Sequence, residues 1–449
     1  MMDDLFPRIK TNIPGPKSKK VIAKDKRYTS RSYIKEYPLV VDRGEGAVVE
    51  DVDGNRYLDL MAGIAVNVTG YGHPSVVAAI KKQSEKFSHI CSTDFYYPSF
   101  ANLAEKLASM VPISKEKSVF LTNSGAEAVE TAIKLARYHT KRPYFIAFFG
   151  AFHGRTMGAL SLTASKVKQR SYFGPLMPGV FHIPYAYCYR CSYRLKYDSC
   201  RIYCADAIEN ILCEHLISPE EIAAVFVEPI QGEGGYIIPP VEFLQKIREF
   251  TAKHGILLVA DEIQSGIGRT GKFLAVENFS VEPDVVLLAK GLASGLPLGA
   301  VVARKKYMSW KPGTHGSTFG GNPIACEASL ATLDLIQGGL AENAAKMGSK
   351  LLRELKTLRR MHPLVGDVRG IGLMIGVELV KNQKNKKPFA EAAHEIVQRA
   401  FQKGLLMLPC GDSVIRFSPP LVIQSSQIDV AVEIFSEILS QYEKEYRIT

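Results

Sequence analysis

Residues 256–271 read ILLVADEIQSGIGRTG. Ile256 to Ala260 form an unbroken apolar run, the pattern of a parallel strand covered on both faces. The run stops at two carboxylates, Asp261 and Glu262, and then at Gly266, Gly268 and Gly271. A carboxylate buried without a partner costs several kcal/mol or takes up a proton. A positive group is therefore expected where this strand ends.

On either side the same texture repeats. Candidate strands fall at 118–122, 144–149, 223–229, 256–261 and 284–289, with helical patterns such as EAVETAIKLARYHT and PVEFLQKIREFTAKHG between them. That alternation gives an α/β domain with a mainly parallel sheet. The segment LGAVVAR (298–304) follows Lys290 too closely for a helical crossover and is expected to run antiparallel. Beyond about Asn322 a helix-rich stretch leads to VGDVRGIGLMIGVELV (365–380), SVIRFSPPLV (413–422) and a terminal amphipathic helix. These form a smaller α/β domain, joined by the N-terminal segment, whose GAVVEDVDGNRYLDL reads as a hairpin turning at Asp53-Gly54. The expected division is 1–75 with 334–449 as the small domain, and 76–333 as the large one.

A chain of 449 residues exceeds one ordinary hydrophobic core, and 46% hydrophobic with 22% charged residues is a globular composition. No apolar run approaches the roughly 18 residues of a membrane span. The N-terminal residues lack the apolar core of a signal peptide, so a cytoplasmic location is expected. The net charge of +11 lies partly in the N-terminal arm and partly in KNQKNKK (381–387). Neither segment interleaves aromatics with its basic residues, which argues against a nucleic-acid platform.

In open α/β sheets ligands bind beyond the carboxyl ends of the strands. Those ends here are TNSGAEA (122–128), GAFHGRT (150–156), EPIQGEGG (228–235), DEIQSG (261–266) and AKGLASGLPLG (289–299). The turn at Ser124, Gly125 and Ala126 opens a helix, where free N–H groups make an anion site; a plain N-cap by Asn123 or Ser124 would look the same. Lys290 ends a buried strand, placing it for desolvation and a nucleophilic role, although most lysines are surface residues. Phe152 and His153 supply flat rings that either pack or stack on a planar ligand. A phosphate cradle, a stacking ring, a nucleophilic lysine and a buried carboxylate match pyridoxal 5′-phosphate, whose pyridinium would then be the partner of Asp261.

SGAEAVETAIKLAR, FHGRT, EPIQGEGG, ADEIQSGIGRTG and GSTFGGNP occur in this order, and over nearly its whole length the chain resembles a class III (ω-amino acid) aminotransferase of fold type I. The resemblance is to enzymes such as the 4-aminobutyrate, ornithine and acetylornithine aminotransferases. It implies that Lys290 condenses with the cofactor aldehyde and then shuttles the substrate proton. It implies that Asp261 holds the ring nitrogen protonated, Gln264 bonds the phenolic oxygen and Phe152 stacks on the ring, with His153 beside it. Ser124, Gly125 and Ala126 would take the phosphate, and Thr318 would reach the phosphate of a neighbouring subunit, giving a homodimer or a dimer of dimers. On the substrate side it implies Arg155 for one carboxylate, Arg416 for the α-carboxylate of glutamate or 2-oxoglutarate, and Glu233 as the partner of Arg416 when no such carboxylate is bound. Without the resemblance, Glu233 and Arg416 read as a structural ion pair. Ile64, where ornithine enzymes carry an aromatic, favours 4-aminobutyrate over ornithine as amino donor; the acceptor expected from the resemblance is 2-oxoglutarate. Acetylornithine or ornithine transfer and amino-acid racemisation are the alternatives within the same fold.

One insert departs from the family. Cys188 and Cys191 form C-x-x-C, and after eight residues Cys200 and Cys204 form C-x-x-x-C. Four sulfurs so spaced suit a metal, two disulfides or free thiols, and no metal ligand is assigned among them. Cys91, Cys213, Cys326 and Cys410 read as buried small hydrophobes.

Overall fold

A computed structural model describes residues 6–448. The chain divides into two units: residues up to Pro74 together with those from Asn343 onward, and Ser75–Glu342. The second boundary lies past 333 because the helix Pro323–Leu335 runs on through a wider turn, Ile336–Leu340, before the next helix, Ala341–Met361.

The N-terminal segment begins the smaller unit with β1 (Val41–Glu45), β2 (Val48–Asp51) and β3 (Arg56–Asp59), an antiparallel set. The β2–β3 hairpin turns at Asp53-Gly54, with Gly54 at φ +84°. Asp51 holds that turn by accepting the Asp53 and Asn55 N–H groups at 2.9 and 2.8 Å. After β3 the backbone enters a left-handed turn in which Ala62, Gly63, Ile64 and Ala65 all have φ between +49° and +69°. Three of those residues carry a Cβ, and each costs about 1–2 kcal/mol in that conformation. Asp59 anchors the turn, accepting from the N–H groups of Met61 and Ala62 at 2.8 and 3.0 Å and from the Tyr71 hydroxyl at 2.6 Å.

The larger unit contains β4 (Lys117–Thr122), β5 (Tyr144–Phe148), β6 (Val180–Ile183), β7 (Ile222–Val227), β8 (Leu257–Asp261), β9 (Val285–Leu288) and β10 (Gly299–Arg304). They form one sheet in the order β4-β10-β9-β8-β7-β5-β6. β10 alone runs antiparallel, pairing with both β4 and β9. β8, the strand that carries the opening run, is the middle strand, and all five of its residues are buried. The helix Gly125–Thr140 packs Val129, Ala132, Ile133 and Ala136 into the core, carries Glu127 in its first turn and ends at a left-handed Lys141. The edge strand β6 was not legible in the sequence: it is short and mostly half-buried, so it shows no apolar run.

The C-terminal part returns to the smaller unit with β11 (Val365–Ile371), β12 (Met374–Leu379), β13 (Leu405–Leu406), β14 (Leu408–Cys410) and β15 (Val414–Phe417). β13 pairs in parallel with β3, so the two ends of the chain complete one sheet, β1-β2-β3-β13. The others form a second sheet, β11-β12-β15-β14. The helix Ala341–Met361 lies against the β11–β12 turn so closely that a Cβ on Gly348 would meet the Gly372 carbonyl oxygen at 2.1 Å. Cys326 and Cys410 are buried as expected, but Cys91 and Cys213 are only half-buried.

Candidate active site

The central strands of the larger unit deliver their chemistry to one rim. β7, β8 and β9 are neighbours, with Val227 opposite Ala260 and Asp261 opposite Leu287. Just past those partners stand Glu228 and Lys290, on either side of Asp261. β5, beyond β7, runs on into Phe152 and His153.

His153 is the partner that the end of β8 required. Its Nδ1–H donates to Asp261 Oδ2 at 2.7 Å, and both side chains are almost fully buried. Burial opposes charge on the imidazole, but the hydrogen bond and charge of Asp261, joined by the charge of Glu228, raise its pKa. The second oxygen of Asp261 accepts the Ile263 N–H at 3.1 Å. His153 is thus placed behind Asp261 rather than as a second stacking ring; its Nε2 is buried with no hydrogen-bond partner.

Glu262 is satisfied differently. It accepts from the Ser265 hydroxyl at 2.6 Å and the Val276 N–H at 2.8 Å, and burial pushes it from the ordinary 4.5 up to about 7. Glu228, which sequence reasoning missed, is likewise pushed up to about 7, by burial first and by the Asp261 charge against the counter-effect of His153. It accepts the Phe152 and Gly232 N–H groups, each at 3.1 Å, and so ties two rim loops together. The only sequence signal for it was its place directly after a buried strand.

At the end of β4, Ser124 caps the helix by accepting the Glu127 N–H at 3.2 Å, and Glu127 reaches back to the Asn123 N–H at 2.9 Å. This reciprocal arrangement leaves the first-turn N–H groups of Gly125 and Ala126 for an anion. The backbone is tightly confined here: a Cβ on Gly299 would meet Ser124 O at 2.6 Å, and one on Gly125 would meet Ile263 Cδ1 at 2.9 Å. Asn123 Nδ2 also donates to Ser317 Oγ at 3.0 Å, which tethers the loop carrying the exposed Thr318 to the same turn.

Lys290 takes φ +46°, a left-handed conformation that a residue with a Cβ holds only where its surroundings impose it. Gln264 keeps a buried amide oxygen with no partner, and Gly232 lies so close to that amide that a Cβ there would meet Nε2 at 2.6 Å. Phe152 is half-buried, and the exposed Arg155 guanidinium stands 5.8 Å from its ring centre. Glu233 forms an ion pair with Lys166 at 2.6 Å, a partner absent from the sequence reading because the two are 67 positions apart. In the smaller unit, Ile64 projects from the left-handed turn at 43% exposure, and Arg416 is a buried guanidinium on β15. The orphaned Gln264 oxygen, the two first-turn N–H groups, the strained lysine and the backed carboxylate fit pyridoxal 5′-phosphate.

Residues 29–439 match the family model Aminotransferase class-III. The chain belongs to the class-III aminotransferases. It is a pyridoxal-phosphate-dependent enzyme of fold type I. As a class-III aminotransferase it is 42% identical over 412 residues to the 4-aminobutyrate aminotransferase of Escherichia coli, covering 90% of this chain and 94% of that one. It is 40% identical over 442 residues to the alanine/serine racemase of Pyrococcus horikoshii, covering 97% and 93%. The solved structure of the ω-transaminase from Pseudomonas jessenii in complex with PMP superposes with a TM-score of 0.88 at 29% identity, covering 94% of this chain and 98% of that one.

Glu262 gives a pH test with a definite sign. Folded, it holds its proton to about 7, whereas the unfolded chain releases it near 4.5. Between those values the native state binds more protons, so this contribution is full below 4.5 and is lost as pH rises through 7. Glu262→Gln should therefore gain on the wild type between pH 5 and pH 8, by at most about 3 kcal/mol. Thermal midpoints of both proteins across that range check it; a constant offset contradicts it.

Proposed function

We propose that this enzyme moves an amino group from an ω-amino acid, with 4-aminobutyrate favoured, to 2-oxoglutarate. The observation that carries the reading is the pairing of Glu233 with Lys166 at 2.6 Å. A transaminase must accept two unlike substrates in one pocket, and 2-oxoglutarate brings a carboxylate that 4-aminobutyrate lacks on that side. Arg416 is proposed to bind it bidentately, and to turn to Glu233 when it is absent. In such a switch Lys166 keeps a cation beside the Glu233 carboxylate when Arg416 turns to substrate.

When bound, pyridoxal 5′-phosphate supplies an aldehyde that takes the amino group and a protonated ring that accepts electrons. Lys290 is proposed to hold the aldehyde carbon and, once displaced, to move the proton from the substrate's reacting carbon. Asp261, oriented by its hydrogen bond from His153, would hold the proton on the ring nitrogen. Phe152 would cover one ring face, and Gln264 would donate its side-chain N–H to the phenolic oxygen. Gly125 and Ala126, on the turn that Ser124 caps, bind the phosphate. Arg155 is positioned for a substrate carboxylate, and Ile64 for the apolar chain of the donor. Thr318, exposed on its tethered loop, would complete the phosphate site of a second subunit, so the working form is proposed as a homodimer, alone or paired, in the cytoplasm.

Racemisation is the second reading, favoured by the 40% identity to the alanine/serine racemase. The two separate cleanly. Incubation with 4-aminobutyrate alone should release about one equivalent of its aldehyde per subunit, and steady turnover should require 2-oxoglutarate. Inversion of L-alanine or L-serine without any oxo acid, and no aldehyde from 4-aminobutyrate, would establish the racemase instead.

The switch has its own test. Lys166→Met should lower kcat/KM for 2-oxoglutarate about tenfold, the cost of taking one cation from a half-buried carboxylate. The 4-aminobutyrate half-reaction should stay within a few-fold. Half-reaction kinetics measured separately for each substrate would show it; equal losses in both would remove Lys166 from the switch.

A further inference from the structure

The insert between β6 and β7 takes no part in the rim chemistry, yet its four cysteines border one small space. Cys188, Cys191, Cys200 and Cys204 line a single cavity of about 20 Å³. A cavity of about 10–15 Å³ is room for one water, so this one admits one small ion and no organic ligand. All four residues border one space, and none of them is in a disulfide. The same proximity appears in their electrostatics: Cys204 feels Cys188, Cys191 and Cys200, and Cys188 feels Cys191 and Cys200.

The backbone is bent to achieve this. Cys188 opens a single helical turn, Cys188–Arg190, ahead of Cys191, and Cys200 ends another, Tyr197–Cys200. Between Cys200 and Cys204 the chain reverses through Arg201 and Ile202, with φ +48° and +60°. Two consecutive left-handed residues, neither of them glycine, persist only where something over-determines the turn. The surrounding core is slight. The insert is secured to the helix Val241–Lys253 by Tyr197 donating to Glu242 at 3.1 Å, and by Lys246 donating to the Arg201 carbonyl at 2.7 Å. A loop-rich segment with so little buried apolar surface ordinarily needs a staple.

We propose that Cys188, Cys191, Cys200 and Cys204 form a structural tetrathiolate site for one zinc ion. The pair spacings, C-x-x-C and C-x-x-x-C, are those of closed zinc sites, which take four ligands tetrahedrally. Four thiolates around a divalent ion leave a doubly negative centre. Arg190, Arg194, Lys196 and Arg201, against the single Asp198, supply the opposite charge within the same segment. Among the described residues no three His, Cys, Asp or Glu side chains are already gathered for a metal, so the cysteines close on the ion by side-chain rotation. The site lies next to β6, at the edge of the sheet, so its role is to fix the insert and not to touch substrate.

The test uses the full chain, expressed without a metal-binding tag and dialysed. Elemental analysis should find about one zinc per chain, and a mercurial thiol reagent should release it as four thiols react. Exchange with cadmium should produce the ultraviolet charge-transfer band of a tetrathiolate. Cys188→Ser with Cys191→Ser should lose the metal and lower the thermal midpoint while the bound cofactor's absorbance persists. If that variant fails to fold, cadmium exchange on the wild type still decides. A metal-free protein whose four thiols react freely, or a non-reduced digest showing disulfides among them, overturns the proposal.

Discussion

The larger unit is organised around one contact, the hydrogen bond between His153 Nδ1 and Asp261 Oδ2 at 2.7 Å. Asp261 ends the middle strand of a seven-stranded sheet, where an unpaired carboxylate would be driven to protonate. His153, arriving from the loop after β5, supplies that partner. Glu228 then braces the same loop from the other side through the Phe152 N–H. The charges of Asp261 and Glu228 raise the pKa of His153 against its burial, and that of Asp261 adds to the burial that raises Glu228. A fixed negative charge at the mouth of an apolar sheet is costly to assemble and effective once made, since field effects are strong where water is excluded. The cofactor ring nitrogen is the partner proposed for it.

Much of the fold was legible because its strongest signals are local. The run Ile256–Ala260 could only be a covered strand, and the segment 298–304 had too short a connection to return parallel; both stand in the sheet as read. The short strands β6, β13 and β14 were missed for the opposite reason. β6 and β13 owe their existence to neighbours that are distant in sequence, as β13 does to β3, and all three carry too few residues for a period to show.

At the site, residue types at strand ends gave the carboxylate, the lysine and the anion-binding turn. Sequence could not give their second partners. His153 looked like another ring because nothing in FHG says which way an imidazole turns. Glu228 looked like a strand terminus, and Lys166 was invisible beside Glu233. The strain at Lys290 and along Ala62–Ala65 was also hidden, since φ depends on tertiary surroundings when the residue is not glycine. Both strained stretches carry residues proposed to meet cofactor or substrate, as expected where precise placement outweighs local comfort. The family itself leaves substrate open, because similar identity links the chain to a 4-aminobutyrate aminotransferase and to a racemase. What distinguishes transfer is a pocket that tolerates both a charged and an uncharged substrate end, and the second cation beside Glu233 suits that demand.

The protonation state of the cofactor ring nitrogen tests the role of Asp261 most directly. Nitrogen NMR of enzyme loaded with cofactor labelled at that atom should show it protonated in the resting wild type at neutral pH. In Asp261→Asn the signal should move to the unprotonated position, with turnover falling by orders of magnitude. An unprotonated nitrogen in the active wild type, or a protonated one that survives the substitution, would contradict the assignment of Asp261 and His153 as the charge that holds it.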